Sequence, residues 1–190
     1  MKGRVKIARV GQLTANTRNG VWNMREAWPL LLSTVRELKC LPLIEQRLDW
    51  LPVDVAAEAV VDIALIAGLD NETEEEDLVF HVVNSREERR WWDLLSWVAE
   101  FAAQEFEIVD PLIWLEKLKA LENHPAKKLS WLWERAFGGL EGKKRERDVV
   151  FRVERAMETS KAMRKFKGVD ERLFRKFWAW LEEQMNAGGK

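Results

Sequence analysis

Tyrosine is absent from the 190 residues, cysteine occurs once (Cys40), histidine twice (His81 and His124), and the charges cancel to a net of −1. Each shortage excludes something. Without tyrosine, no step carried by this chain uses a phenol as acid or base. A single cysteine rules out an internal disulfide and a thiolate metal cage, and it suits a reducing, cytoplasmic setting. With 31 Lys and Arg against 32 Asp and Glu, the basic excess of a nucleic-acid binder is missing. The longest apolar-rich stretch, from Val53 to Leu69, is broken by Asp54, Glu58 and Asp62, so no segment reads as a membrane span. Met1 to Val10 alternates basic and apolar residues like a strand, and is read as such and not as a secretory leader. Neither Gly-x-Gly-x-x-Gly after a strand nor Gly-Lys-Ser/Thr occurs, so nothing here cradles a phosphate.

What is abundant is apolar material. Hydrophobic residues make up 47% of the chain and tryptophan alone contributes 11. At this size about 70% of the unfolded surface is expected to be buried, which suits one domain or a large piece of one.

The chain reads as strands alternating with helices. Arg4 to Val10 has period two and ends at Gly11, and a Thr/Asn/Gly-rich loop runs from Gln12 to Asn23. Trp28, Leu31, Leu32, Val35 and Leu38 predict a helix over Arg25–Lys39, with Pro29 in its first turn. Leu48–Val53 is extended, because Pro52 keeps Leu51 out of the helical region. Asp54 reads as the N-cap of a helix Val55–Ala67 stopped by Gly68. Leu78–Asn84 is apolar on both faces, as a central parallel strand is.

Helix dominates from residue 85. Trp92–Ala103 is amphipathic, Phe106–Val109 is a short strand, and Asp110-Pro111 opens the next helix. Another starts at Pro125 and stops at Gly138-Gly139; Val149–Phe151 reads as a last strand, followed by the segment Glu154–Met163. The final helix begins at Asp170, with Val169 poised to staple onto Phe174. The fold class is therefore α/β: a partial sheet of few strands with a large helical carboxyl-terminal subdomain, divided as residues 1–84 and 85–190.

Most chemically suggestive residues have plain structural readings. His81, mid-strand, reads as a satisfied sheet residue, and His124 before Pro125 as part of a helix opening. The acidic run Glu74–Asp77 and the mixed run Lys143–Arg147 read as solvated loops. Trp97, Trp133, Trp178 and Trp180 lie on helical stripes and read as core. Trp22 differs, since Gly20-Val21-Trp22-Asn23 follows a strand at the end where α/β proteins put ligands.

Those segments carry a resemblance. Arg9-Val10-Gly11-Gln12-Leu13-Thr14, Gly20-Val21-Trp22-Asn23, Trp50 to Ala57 and Phe80 to Asn84 follow in order. Together they resemble the carboxyl-terminal half of a thioester reductase domain. Such domains are the NADPH-dependent terminal reductases of nonribosomal peptide synthetases and polyketide synthases, in the extended short-chain dehydrogenase/reductase group, here most like the fungal synthetase-like members. Softer signals at Trp92–Trp97, Phe106–Trp114, His124–Leu129 and the closing helix extend the likeness to most of the chain. Phe80 stands where relatives usually have Tyr, Ser85 where Pro is common, and Ala15 where Gly is common.

The resemblance implies what a full domain does: it transfers hydride from NADPH to a carrier-bound thioester and releases an aldehyde or alcohol. It also implies that a Rossmann half with the Gly-rich loop and a Tyr-x-x-x-Lys helix precedes the part seen here. On that basis Val10, Gly11 and Gln12 would lie beside the nicotinamide, with glycine permitting close approach. Gly20, Trp22 and Asn23 would shape the channel for the acyl group or the phosphopantetheine arm, leaving Trp22 partly exposed. No residue here is expected to be catalytic or to bind metal. The expected partners are an acyl or peptidyl carrier protein and the amino-terminal half, with no nucleic acid and no membrane. The alternative is a non-catalytic helical interaction module on a reductase-derived scaffold.

Overall fold

A computed structural model describes residues 5–65, 79–84, 89–137 and 151–187. In chain order its elements are β1 (Ile7–Val10), β2 (Leu13–Thr14), α1 (Ala27–Ser33), α2 (Val35–Leu38), β3 (Cys40–Pro42), β4 (Leu51–Pro52), α3 (Val53–Leu65) and β5 (Val79–Val82). There follow α4 (Trp91–Phe101), β6 (Glu107–Val109), α5 (Pro111–Ala120), a 3₁₀ turn (Pro125–Leu129), α6 (Ser130–Phe137), α7 (Glu154–Thr159), α8 (Lys161–Lys165) and α9 (Glu171–Ala187).

All pairing between these strands is parallel, so the fold is α/β as the sequence predicts. β1 runs beside β5 with Ile7 opposite Val79 and Val10 opposite Val82. β2 pairs with β4 through Leu13–Leu51 and Thr14–Pro52, and β3 with β6 through Cys40–Glu107 to Pro42–Val109. Parallel pairs need long crossovers, and the helices supply them.

Helix openings follow local chemistry. Asp110 Oδ1 accepts from Leu112 N at 2.8 Å with Pro111 in the first turn, and Asp170 Oδ1 accepts from Leu173 N at 2.8 Å. His124 Nδ1 accepts from Ala126 N at 3.1 Å, which is the helix-opening role expected of it. The helix predicted over Arg25–Lys39 is instead two. Thr34 is buried, its hydroxyl donates to Leu31 O at 2.7 Å and accepts from Trp114 Nε1 at 3.0 Å, and it separates α1 from α2. Lys39 then takes a left-handed conformation (φ 53°) that swings the chain into β3.

One cap expectation is overturned. α3 begins at Val53, two residues earlier than predicted, so Asp54 lies inside its first turn. The Asp54 carboxylate accepts from the backbone N of Thr17 at 3.1 Å and from the Thr17 hydroxyl. Its acceptor capacity goes to a distant loop and not to the helix end. The Gly68 and Gly138-Gly139 stops, both charged runs and Val149-Val150 lie outside the described residues; Phe151 belongs to no strand.

Two buried clusters hold the molecule together. The larger joins α1, α4, α5, α6 and α9 around Trp22, Trp50, Trp91, Trp114 and Trp133. The smaller packs Ala56, Ala59 and Ile63 of α3 against Phe80 and Val82 of β5, with Ala156 and Met163 from α7 and α8. Both clusters draw residues from either side of position 84. Among the described residues no helix is long and apolar enough to cross a membrane.

Candidate functional site

The chain leaves β1 through Val10, Gly11 and Gln12, the three residues expected beside a cofactor. Gly11 N donates to Val82 O at 3.0 Å, and Gln12 O accepts from Leu51 N at 2.8 Å, so these backbone groups continue the sheet. A Cβ on Gly11 would come within 2.9 Å of Val83 Cγ1. Val83 thus occupies the space that a side chain at position 11 would need. The side chains of Val10 and Gln12 remain exposed.

The following loop is clamped on both sides. Asn16 and Asn19 fold it on itself: Gly20 N donates to Asn16 O at 2.9 Å and Val21 N to Asn19 Oδ1 at 3.2 Å. Asp54 holds Thr17 from α3, while Lys176 of α9 donates to Thr17 O at 2.6 Å. Gly20 has φ +72°, and a Cβ there would fall 2.3 Å from the backbone carbon of Lys176. Only glycine tolerates both that dihedral and that approach.

Trp22 is buried, with 6% of its surface exposed, which corrects the expectation of a partly exposed channel wall. The cause is α9, whose Phe177 meets Trp22 edge-on while Trp50 does the same from the other side, at centroid distances of 5.0 and 5.2 Å. The Trp22 Nε1 donates to Glu26 Oε2 at 3.0 Å. Asn23 is exposed; its Oδ1 accepts from Arg25 N at 3.0 Å and its carbonyl from Glu26 N, starting the turn into α1.

An open recess of about 240 Å³ lies beside Gln12, walled by Trp28, Ile44, Trp133 and Phe137, with Gln46 also contributing. Trp133 and Phe137 are stacked at 5.9 Å and 15°. Trp28 stands 6.2 Å from Trp133 and 5.3 Å from Trp50, which in turn touches Trp22. Among the described residues none that lines the recess is ionisable, so these side chains can bind and orient a group but not move a proton.

The indole N–H groups separate the tryptophans. Trp91 Nε1 donates to Pro42 O at 2.7 Å, Trp114 Nε1 to Thr34 Oγ1 and Trp178 Nε1 to Glu182 Oε1, both at 3.0 Å. The Nε1 atoms of Trp50 and Trp133 are buried with no hydrogen-bond partner among the described residues. An unmet buried donor of this kind costs about 1–3 kcal/mol. Trp28, Gln46 and Trp133 are the positions that sequence reasoning did not assign to a site. Periodicity placed both tryptophans on helical core stripes, and nothing local marked Gln46.

The titratable groups elsewhere are structural. His81 Nδ1 lies 3.1 Å from Arg152 O and its ring packs on Phe151. Burial pushes the Cys40 thiol up, the opposite of an activated nucleophile. Among the described residues no cluster of three or more His, Cys, Asp or Glu could hold a metal. For NADPH, the residues present do not fit the phosphate end: the sequence has no Gly-rich turn, and the N–H of Gly11 is committed to Val82.

No family model matches the chain. Individual proteins do. The adenylate-forming reductase stbB of Stachybotrys bisbyi is 31% identical over 143 residues, 72% of this chain and 13% of the relative. The non-reducing polyketide synthase SAT8 of Stachybotrys chartarum is 33% identical over 139 residues, 70% of this chain and 5% of the relative. The solved terminal R domain of the myxalamid PKS-NRPS pathway superposes with a TM-score of 0.72 at 21% identity, covering 95% of this chain and 44% of that one. A thiolation-reductase di-domain from an archaeal nonribosomal peptide synthetase gives 0.64 at 17% identity, over 95% of this chain and 36% of that one.

The fold is that of a terminal reductase domain. The chain belongs to the reductase domains of fungal adenylate-forming reductases and of the related peptide and polyketide synthases, as a carboxyl-terminal reductase fragment. It spans under half of the solved domains and a small part of the fungal relatives.

Proposed function

We propose that this chain is the carboxyl-terminal, substrate- and carrier-binding portion of an NADPH-dependent thioester reductase that releases carrier-bound acyl groups as aldehyde or alcohol. The observation that carries the reading is where the recess lies. Gln12 leaves the carboxyl end of β1, the end at which parallel sheets bind ligands, and borders an apolar pocket built from both halves of the sequence. In the proposed division, residues 1–84 bring the sheet edge with the loop, and residues 85–190 close the pocket through α6.

NADPH, when bound, supplies the hydride; its phosphates belong to the amino-terminal half, and Val10 and Gln12 would face its nicotinamide end. Gly20, Trp22 and Asn23 act one layer back. Trp22 backs Trp50, Trp50 backs Trp28, and Asn23 starts the turn that delivers Trp28 to the recess wall. The acyl group would enter on a phosphopantetheine arm. A carrier partner is supported by the archaeal relative, which joins a thiolation domain to its reductase. The amino-terminal half has an apolar surface to meet: Val5 just before β1, Ile7 and Val10 on β1, and Val60, Val61 and Leu65 on α3 are exposed. A cytoplasmic setting is part of the proposal.

The test is reconstitution. The chain alone should oxidise no NADPH with an acyl-pantetheine thioester, and should restore turnover when mixed with a separately produced amino-terminal half. It should also bind an acylated carrier protein. Failure of both rescue and carrier binding would instead favour an interaction module.

A further inference from the structure

We propose that a second copy of this chain docks on the outer edge of β1, the two strands running antiparallel about a twofold axis at Ala8. This goes beyond the proposed function and competes with it, since the amino-terminal half is assigned the same surface.

The two edges of the β1–β5 pair differ. Beyond β5, Arg155 Nη1 donates to Val79 O at 3.1 Å and Arg152 O lies 3.1 Å from His81 Nδ1, so the chain around the start of α7 covers that side. On β1, the parallel register and the bond from Gly11 N to Val82 O turn the main-chain groups of Ile7 and Arg9 toward β5. Those of Ala8 and Val10 point the other way, where none of the described residues meets them. Ile7 and Val10 are also exposed, and an open apolar edge is a template for a further strand.

The order of residues along β1 suits a copy of itself. Antiparallel strands bond through residues whose main chains face each other, so Ala8 and Val10 must meet outward-facing residues. An axis at Ala8 sets Ala8 against its copy, Val10 against Lys6 and Ile7 against Arg9, with no like charges opposed. An axis at Arg9 would oppose two arginines, and one at Ile7 would carry the pairing back to Arg4, well before the strand begins. α3 ends beside this edge, because Lys6 Nζ donates to Ile63 O at 2.9 Å. The exposed Val60 and Val61 lie about one turn before that contact, where a second α3 would cover them. With the far side of β5 already covered, the pairing closes at two copies.

The experiment is sedimentation equilibrium of the 190-residue chain from micromolar to millimolar concentration. It should reach twice the mass of one chain and no more. Ile7→Lys puts a lysine opposite each Arg9 and should weaken the dimer about tenfold. Adding Arg9→Glu should restore it, because each new lysine then faces a glutamate of the other copy. Val10→Pro removes an outward N–H that no bond to β5 uses, and should abolish the dimer at an unchanged far-UV circular dichroism spectrum. Should these variants fail to fold, Val61→Glu, at an exposed position on α3, should weaken the dimer instead. An added amino-terminal half should convert the dimer into a one-to-one complex.

A monomer at every concentration, growth past the dimer, or a dimer indifferent to both Ile7→Lys and Val10→Pro overturns the inference and leaves the proposed function standing. An Ile7→Lys defect that Arg9→Glu does not repair overturns the axis at Ala8. An amino-terminal half that binds the intact dimer overturns the shared edge.

Discussion

The ring of Trp22 meets that of Phe177 edge-on, 5.0 Å between centroids and 66° between planes, so the loop after β2 is sealed by the last helix. Trp22→Ala should therefore destabilise the chain by about 3–5 kcal/mol, as removal of a buried tryptophan does. Phe177→Ala should cost a comparable amount, and the double variant less than the sum, because the two rings share one contact. Urea midpoints measure all three. A loss below about 1 kcal/mol for Trp22→Ala would mean that α9 does not cover the loop in solution.

The two glycines of this region should answer differently to the same substitution. Gly20→Ala places a methyl against the Lys176 backbone at a φ of +72°. Left-handed conformation and overpacking together should cost about 2–5 kcal/mol. Gly11→Ala meets the side chain of Val83, which can give way, and reduced freedom of the unfolded chain offsets part of the cost. Its expected loss is about 1 kcal/mol or less. Equal losses from the two substitutions would contradict the clamp of α9 on the Gly20 turn.

Much of this fold was legible wherever the signal is local or periodic. The alternation in Arg4–Val10 and the run Leu78–Asn84, apolar on both faces, foretold two strands, which pair, and Asp110, His124 and Asp170 each cap the helix that follows them. The misses are long-range. β2 and β3 are two and three residues long, too short for any periodicity, and exist because β4 and β6 come alongside. Trp22 sits in a polar loop, which by itself reads as exposed; its burial is decided by a helix at the other end of the chain. Trp28 and Trp133 showed the helical stripe of core residues, and a stripe does not tell which member borders an opening. Gly11 was read as allowing close approach of a cofactor; the space its Cβ would fill is bordered by Val83, and which group approaches a glycine is a question of tertiary structure.

Asp54 illustrates the same limit and is testable. Because its carboxylate accepts from the backbone N and hydroxyl of Thr17, Asp54→Ala should lose about 1–3 kcal/mol. Thr17→Val removes the hydroxyl partner, and the two substitutions should be coupled in a double-mutant cycle by about 0.5 kcal/mol or more. Strict additivity would return Asp54 to a purely helix-local role.

His124 gives the chain a pH dependence whose sign follows from its hydrogen bond. Nδ1 accepts from Ala126 N, so the neutral ring carries its proton on Nε2, which lies 4.0 Å from Glu37 Oε1. Burial lowers the pKa from the ordinary 6.5, and the Glu37 carboxylate opposes that only in part. The unfolded chain thus takes up this proton before the folded one does. Stability from this residue is complete above the unfolded value and declines as pH falls from there toward the depressed folded value, below which no more is lost. His124→Asn keeps a side-chain acceptor at the helix opening and removes the titration. Between about pH 7 and about pH 5 the parent should lose unfolding free energy more steeply than His124→Asn, as measured by urea titration at each pH. Parallel curves would show that the folded ring takes up its proton as readily as the unfolded one, and that the acceptor bond to Ala126 does not hold it neutral.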